Sequence, residues 1–223
     1  MTESHNGRPS TTVAIVGAGF GGICMGIKLG RAGIPYTILE KAPSVGGVWR
    51  DNVYPGAACD IPSHLYSYSF EPSHDWSRTY GQASEIRSYI ENCARKYGVL
   101  DHIRFNTEAT GAEFSEDTGR WQLTLVDGTE LQARFLVAAT GQLSLPAEPS
   151  FPGLEGFGGK VFHSARWDHD YEMTGKRVAV IGSGASAIQF VPQIAPKVQK
   201  LHLFQRSAPY VLPRPTFTTR SSA

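Results

Sequence analysis

The stretch Gly17-Ala18-Gly19-Phe20-Gly21-Gly22 constrains this chain more than any other. It follows a short β-branched run, Val13 to Val16, that reads as a buried parallel strand. It precedes apolar residues at helical spacing, Ile23, Ile27 and Leu29, with Gly33 as the stop. Tyr36 to Leu39 reads as the next strand, and Glu40 closes it. Strand, glycine turn, helix, strand and acid in this register predict a βαβ unit that binds a dinucleotide. Gly17 permits the tight turn, Gly19 lets the backbone approach a pyrophosphate, and Gly22 lets the helix pack on the strand. The helix N-terminus offers free N–H groups and the positive end of its dipole to the phosphates. Glu40 is expected to accept hydrogen bonds from a ribose with both hydroxyls free.

The plan recurs at Gly182-Ser183-Gly184-Ala185-Ser186-Ala187, a GxGxxA variant of the same turn. Val178 to Ile181 is the expected strand before it. Ile188, Val191, Ile194 and Ala195 mark the helix, which Pro192 should kink or shorten. Leu201 to Phe204 is the following strand. It ends in Gln205, Arg206 and Ser207, with no acid. A carboxylate there would repel a 2′-phosphate, whereas Arg206 can pair with one; the alternative is a solvated strand-end charge. The first site therefore suits an unphosphorylated adenine dinucleotide and the second suits NADP. The predicted fold class is α/β with two Rossmann-like dinucleotide-binding domains, and two such units point to electron transfer between two dinucleotides.

Between the copies, Ile86, Ile90, Cys93 and Tyr97 share one helical face over residues 84 to 97, with Ser84 as N-cap and Gly98 as stop. Residues 121 to 141 alternate as a strand, turn at Asp127-Gly128, and continue as a second strand. Phe135 to Ala139 reads as a further, fully apolar strand. The proline-rich residues 143 to 153 read as a boundary. The segment 46 to 70 has little periodicity but many aromatics and prolines, and a long irregular segment of this kind is usually functional or disordered. Its aromatic content argues against disorder. Gly46 and Gly47 could allow backbone approach to a cofactor, Trp49 could pack on an isoalloxazine ring, and Asp60 amid apolar neighbours could carry a shifted pKa. On residue chemistry alone, a packed surface loop with Asp60 capping a turn stands equally.

Composition narrows the class. The chain has 223 residues, 41% hydrophobic, with a formal net charge of +1. That balance fits an ordinary globular protein and gives no basic face for nucleic acid. Cys24, Cys59 and Cys93 make no CxxC or metal-ligand spacing, so reduced thiols and no metal are expected. The polar N-terminus is not a secretory signal, and no stretch reaches the roughly 18 apolar residues of a membrane span. A cytoplasmic location is expected, with no membrane partner.

Phe157, Gly159, His163, Trp167 and Asp168 fit the pattern F-x-G-x-x-x-H-x-x-x-W followed by Pro or Asp, and they lie between the two glycine turns. This set resembles the fingerprint of Baeyer–Villiger monooxygenases, within the flavin-containing monooxygenase superfamily. Residues 46 to 70 are likewise similar to that family's flavin-site segment, and the likeness runs from about residue 12 to about residue 212. The resemblance implies FAD on the first turn and NADP on the second. It implies a cofactor-binding set of Gly17, Gly19, Gly22, Glu40, Lys41, Gly47, Val48, Trp49, Asp60 and Tyr66, with Gly182, Gly184, Ala187 and Arg206 for NADP. It counts Asp60, His163 and Trp167 as the catalytic set: Asp60 as an electrostatic residue near flavin and nicotinamide, His163 and Trp167 as linker residues that couple domain movement to turnover.

The implied reaction takes a small-molecule ketone and O2 to an ester or lactone through a C4a-peroxyflavin, at the expense of NADPH. The implied layout is a disordered tail over 1–11, an FAD domain over 12–145, a linker over 146–175, the start of an NADP domain over 176–212 and a tail over 213–223. Members of the family are much longer and carry a catalytic arginine and most of the substrate pocket in later sequence. The chain is therefore expected to be an N-terminal fragment that does not complete the reaction alone. A nitrogen- or sulfur-oxidising relative is the nearest alternative, and Trp167-Asp168 argues against it. A disulfide reductase would need a redox Cys pair that these spacings do not supply. A non-catalytic nucleotide-binding fragment is the reading from a different class.

Overall fold

The computed structural model describes residues 3–5, 8–147, 149–212 and 217. In chain order its elements are β1 (Glu3–His5), β2 (Arg8–Val16), α1 (Phe20–Arg31), β3 (Tyr36–Leu39), α2 (Val48–Asp51), α3 (Ala83–Lys96), β4 (Ile103–Arg104), β5 (Ala109–Ser115), β6 (Arg120–Leu125), β7 (Glu130–Ala138), β8 (Arg177–Ile181), α4 (Ala185–Ile194) and β9 (Lys200–Phe204). They form two compact units. The first comprises Met1–Arg50 and Arg87–Ser144, the second Asp51–Ile86 and Leu145–Ala223. Residues 51–86 group with the second unit. No helix among the described residues is long and apolar enough to cross a membrane.

The first unit is built on a seven-stranded sheet of order β4-β3-β2-β7-β6-β5, with β1 antiparallel to β2. The centre is parallel: β2 pairs with β3 on one side and β7 on the other. Parallel strands buried on both faces need continuous apolar runs, and Ala14, Ile15 and Ile38 are fully buried. Alternate residues serve opposite faces, so Ala14 and Leu39 join the cluster of Leu123, Leu125, Leu131 and Ala133. Helix α1 is also buried along one side, through Gly22, Ile23, Gly26 and Ile27. A side chain at Gly26 would lie 3.0–3.1 Å from Val99, Ile38 and Tyr36, which sets how closely the helix approaches. Burial raises the Tyr36 phenol above its ordinary pKa. Both α1 and α3 end with the paired 6→1 and 5→2 amide bonds of a Schellman stop, at Gly33–Ile34 and Gly98–Val99.

Three sequence expectations shift here. Residues 8–11, expected in the tail, lie in β2, where Ser10 and Thr11 are buried and pair with Gln132 and Ala133. Ladder hydrogen bonds satisfy that polar start, which apolar periodicity could not reveal. The hairpin's second arm and the apolar run at Phe135 form one strand, β7. Its first half pairs antiparallel with β6 while its length from Gln132 pairs parallel with β2. Ser84 lies inside α3, which begins at Ala83. The cap is Glu85, whose carboxylate accepts from Gln82 N at 3.2 Å and Ser77 N at 2.9 Å, the acid half of a capping box.

The second unit contains the parallel pair β8 and β9 joined through α4. Its core is Val180, Ala187, Phe190 and Ile194, with Tyr54, Trp167, Met173, Val178, Val191 and Leu201 packed around it. Pro192 sits in the last turn of α4, and the helix stops at Ile194. The irregular segment after residue 51 is held by backbone pairing. Cys59 N donates to Gly81 O, Ser63 N to Thr79 O and Ala83 N to Ala57 O, each at 2.7–2.9 Å. The buried Ser63 hydroxyl adds a bond to Arg78 O at 2.8 Å. The segment is therefore held without periodicity, because the stretch it bonds to forms no regular strand.

Candidate functional site

In the first unit the glycine turn links β2 to α1. Gly17 has φ +104°, and its N–H donates to Leu39 O at 2.8 Å, tying the turn to the end of β3. A Cβ at Gly17 would lie 2.5 Å from Ala139 O, and one at Gly22 would lie 1.9 Å from Gly17 O. These two glycines are demanded by the protein's own backbone. Gly19 is not: a Cβ there would meet Gly47 at an ordinary 3.6 Å. The helix start at Gly19 has no side-chain cap and no acid in its first turn. An uncapped, glycine-lined helix start forms a cradle suited to phosphate.

Gly47 packs against this turn, and Gly46 N donates to Ala18 O at 3.0 Å. Glu40 is buried and spends its carboxylate inside the protein. It accepts from Ala18 N at 2.8 Å, Ala42 N at 2.9 Å and Arg50 Nη1 at 3.1 Å. A carboxylate has about four lone-pair positions, so one remains for a ribose hydroxyl. Arg50, 11% exposed, also donates to Ser44 O at 2.6 Å. Sequence reasoning missed Arg50; its signal was a cation directly after the uncharged run Gly46–Trp49. Val48 and Trp49 are half-buried on α2, and Lys41 is exposed beyond β3.

In the second unit Gly182 repeats the turn with φ +106°, and its N–H donates to Phe204 O at 2.8 Å. The helix start at Gly184 again lacks a side-chain cap and an acid in its first turn. Among the described residues nothing lies within 4 Å of a Cβ at Gly182 or Gly184, and Ala187 is buried. Arg206 follows β9 and is exposed.

The same unit holds the segment between the turns. His163 caps the 3-10 turn Ser164–Arg166: Nδ1 accepts from Ala165 N at 3.0 Å. Trp167 packs on Phe190 of α4, centroids 5.2 Å apart, and edge-on to Phe162 at 5.4 Å. Phe157 lies across Gly159, where a Cβ would come 2.6 Å from its ring. Lys160 Nζ pairs with Asp168 Oδ2 at 2.7 Å. That hydrogen bond holds the Asp168 carboxyl below its usual range and Lys160 above its own.

The loop bearing Asp60 belongs to this unit as well, and Tyr66 is half-buried. Asp60 was expected among apolar neighbours; it is exposed, because the preceding Cys59 takes the buried position. Tyr54 stacks edge-on against Phe190 at 6.1 Å, and its hydroxyl donates to Gln189 Oε1 at 3.0 Å. One helix, α4, therefore seats both the Asp60 loop and the linker Trp167. Gln189 was not singled out in the sequence, since its partners lie 131 to 135 residues away.

The model of the flavin-binding monooxygenase-like family matches residues 10–218. A Baeyer–Villiger monooxygenase of Streptomyces coelicolor is 51% identical over 215 residues, 96% of this chain and 41% of that protein. A structure of oxidized steroid monooxygenase bound to NADP superposes with a TM-score of 0.87 at 43% identity, over 94% of this chain and 41% of that one. A structure of OTEMO in complex with FAD and NADP gives 0.88 at 34% identity, over 93% and 41%. The chain thus spans about two fifths of the length of the proteins it matches. It belongs to the flavin-binding monooxygenase-like family.

Proposed function

We propose that the chain supplies the FAD- and NADPH-binding turns of a Baeyer–Villiger monooxygenase, which oxidises a ketone to an ester or lactone. The observation that carries this is the pair of uncapped glycine turns with one backbone geometry and opposite charge after the following strand, Glu40 in one and Arg206 in the other. The relatives of known activity, together with the linker residues His163, Trp167 and Asp168, favour ketone oxidation over nitrogen or sulfur oxidation.

Gly17, Gly19, Gly22, Glu40 and Gly47 would hold FAD, and Gly182, Gly184, Ala187 and Arg206 would hold NADP. Bound together, the two supply a hydride and the activation of dioxygen, so that ketone, O2, NADPH and a proton give ester, water and NADP+. The chain's own residues do the positioning. The amides at the starts of α1 and α4 bind pyrophosphate, Glu40 holds a ribose hydroxyl while fixing the turn through Ala18, and Arg206 pairs with a 2′-phosphate. Asp60 is the electrostatic residue of the site, and His163 and Trp167 hold the linker. Lys41, Val48, Trp49 and Tyr66 complete the FAD-binding set.

The test is flavin content and coenzyme binding of the purified chain, then ester formation from cyclic and aryl ketones with NADPH and O2. A chain that carries no flavin and prefers neither coenzyme sinks the reading. Conversion of amines or sulfides in preference to ketones, by the chain joined to the remaining length of its relatives, selects the alternative. The 223 residues alone are expected to bind nucleotide without forming ester.

A further inference from the structure

We propose that Gln189 is a positioning residue that fixes the 54–58 turn, and with it Asp60, to helix α4, so that nucleotide at the second glycine turn steadies the Asp60 loop. The inference rests on the reading of that turn as the NADP site. Gln189 makes three hydrogen bonds with its amide. Oε1 accepts from the Tyr54 hydroxyl at 3.0 Å and from Ala58 N at 3.2 Å, and Nε2 donates to Ala58 O at 2.9 Å. Only an amide side chain of this length offers both a donor and an acceptor to one backbone residue. The turn backbone also lies directly on the helix. Gly56 has φ +80°, and a Cβ there would fall 2.9 Å from Gln189 O. Gln189 is the fifth residue of α4, one turn beyond the helix start at which a pyrophosphate would bind. Ordering of that first turn by a ligand is transmitted to the next turn by the helix's own ladder, and from it to Ala58.

Amide hydrogen exchange on the 223-residue chain tests this without turnover. In Gln189→Leu the Ala58 amide loses its acceptor and should exchange roughly tenfold faster or more, while Gly182, bonded to Phe204 O, keeps its rate. Gln189→Glu keeps the acceptor and loses the donor, so it should retain most of the protection at Ala58. A uniform rise across β8, α4 and β9, no rise at Ala58, or a Glu variant as exposed as the Leu variant overturns the clamp. NADP+ should slow exchange at 182–187 and at 54–60 in the wild type, but only at 182–187 in Gln189→Leu. Equal slowing at 54–60 in both proteins overturns the coupling. If NADP+ fails to slow 182–187 in the wild type, the nucleotide reading falls and takes the coupling with it, while the unliganded comparison still decides the clamp.

Discussion

At Gly17 and Gly182 the chain makes one turn twice, with φ of +104° and +106° and the same amide bond to the end of the following strand. The surroundings differ. Around Gly17 the sheet continues on both sides of β2, Ala139 O presses on the turn, Gly47 backs it, and Glu40 ties Ala18 to Arg50. Around Gly182 the sheet has β8 and β9 alone among the described residues, and no atom crowds the glycines. Ile181, Leu203 and Phe204 are exposed at 60%, 44% and 55%. The positive φ belongs to the turn itself and appears in both copies. The steric demand comes from Ala139 O at Gly17 and from the carbonyl of Gly17 at Gly22, and it appears in the first copy. A shared motif therefore does not imply a shared sensitivity to substitution.

The sharpest test is the last small position of each motif. Gly22→Ala places a Cβ 1.9 Å from Gly17 O, so a backbone carbonyl must move. We expect loss of the folded first unit and of flavin, read by soluble yield, circular dichroism and absorbance. The second copy already holds alanine there, and Ala187→Gly should cost about 1 kcal/mol of helix propensity and about as much again for the buried methyl, far less than unfolding. Equal melting temperatures for the two variants would erase the contrast.

The next largest effect concerns the tie that only the first turn has. Arg50→Met leaves the buried Glu40 carboxylate without its cation, side chains 11% and 5% exposed. Removing one partner of a buried pair costs about 3 kcal/mol or more, so the denaturant midpoint of the first unit should fall clearly. Arg206→Ala in the second copy should leave that midpoint unchanged, because the side chain is exposed. It should instead weaken NADP+ binding roughly tenfold against NAD+, the value of one charged hydrogen-bonding contact to the 2′-phosphate. Equal weakening for both coenzymes would remove Arg206 from the phosphate.

These contrasts also mark what the sequence could disclose. Both turns, their helices and their flanking strands were legible because local spacing and glycine position determine them. The site residues that act through distant partners were not. Arg50 reads as a solvated charge until Glu40 is seen to be buried, and Gln189 reads as a polar helix residue until Tyr54 and Ala58 arrive from 131 to 135 residues away. Strand β7 was divided in two because its first half carries the alternation of a hairpin arm and its second half the apolar run of a parallel centre. Phe135 in that second half is 52% exposed, which composition alone would not suggest. The Asp60 loop was recognisable as unusual, but its grouping with the second unit depends on contacts that no local pattern records.

The smallest effect is expected in the segment between the turns. Lys160 and Asp168 close the linker with an ion pair at 2.7 Å, both side chains partly in solvent at 46% and 26%. The lowered carboxyl pKa of Asp168 means its contribution is present above the ordinary carboxylate range and fades as pH falls through the lower, folded value. The raised pKa of Lys160 means its contribution is full below the ordinary lysine value and fades as pH rises through the higher one. The pair therefore spans neutral pH intact and weakens only at the acid and alkaline extremes. An exposed pair of this kind is screened by salt and adds little to stability. Asp168→Asn should thus leave the melting temperature near the wild-type value at pH 7. The intrinsic fluorescence of Trp167, one residue along, should shift slightly, and that shift should vanish when wild type and variant are compared at a pH where Asp168 is protonated. A large loss of stability at neutral pH would show that the linker is held far more tightly by this pair than its exposure allows.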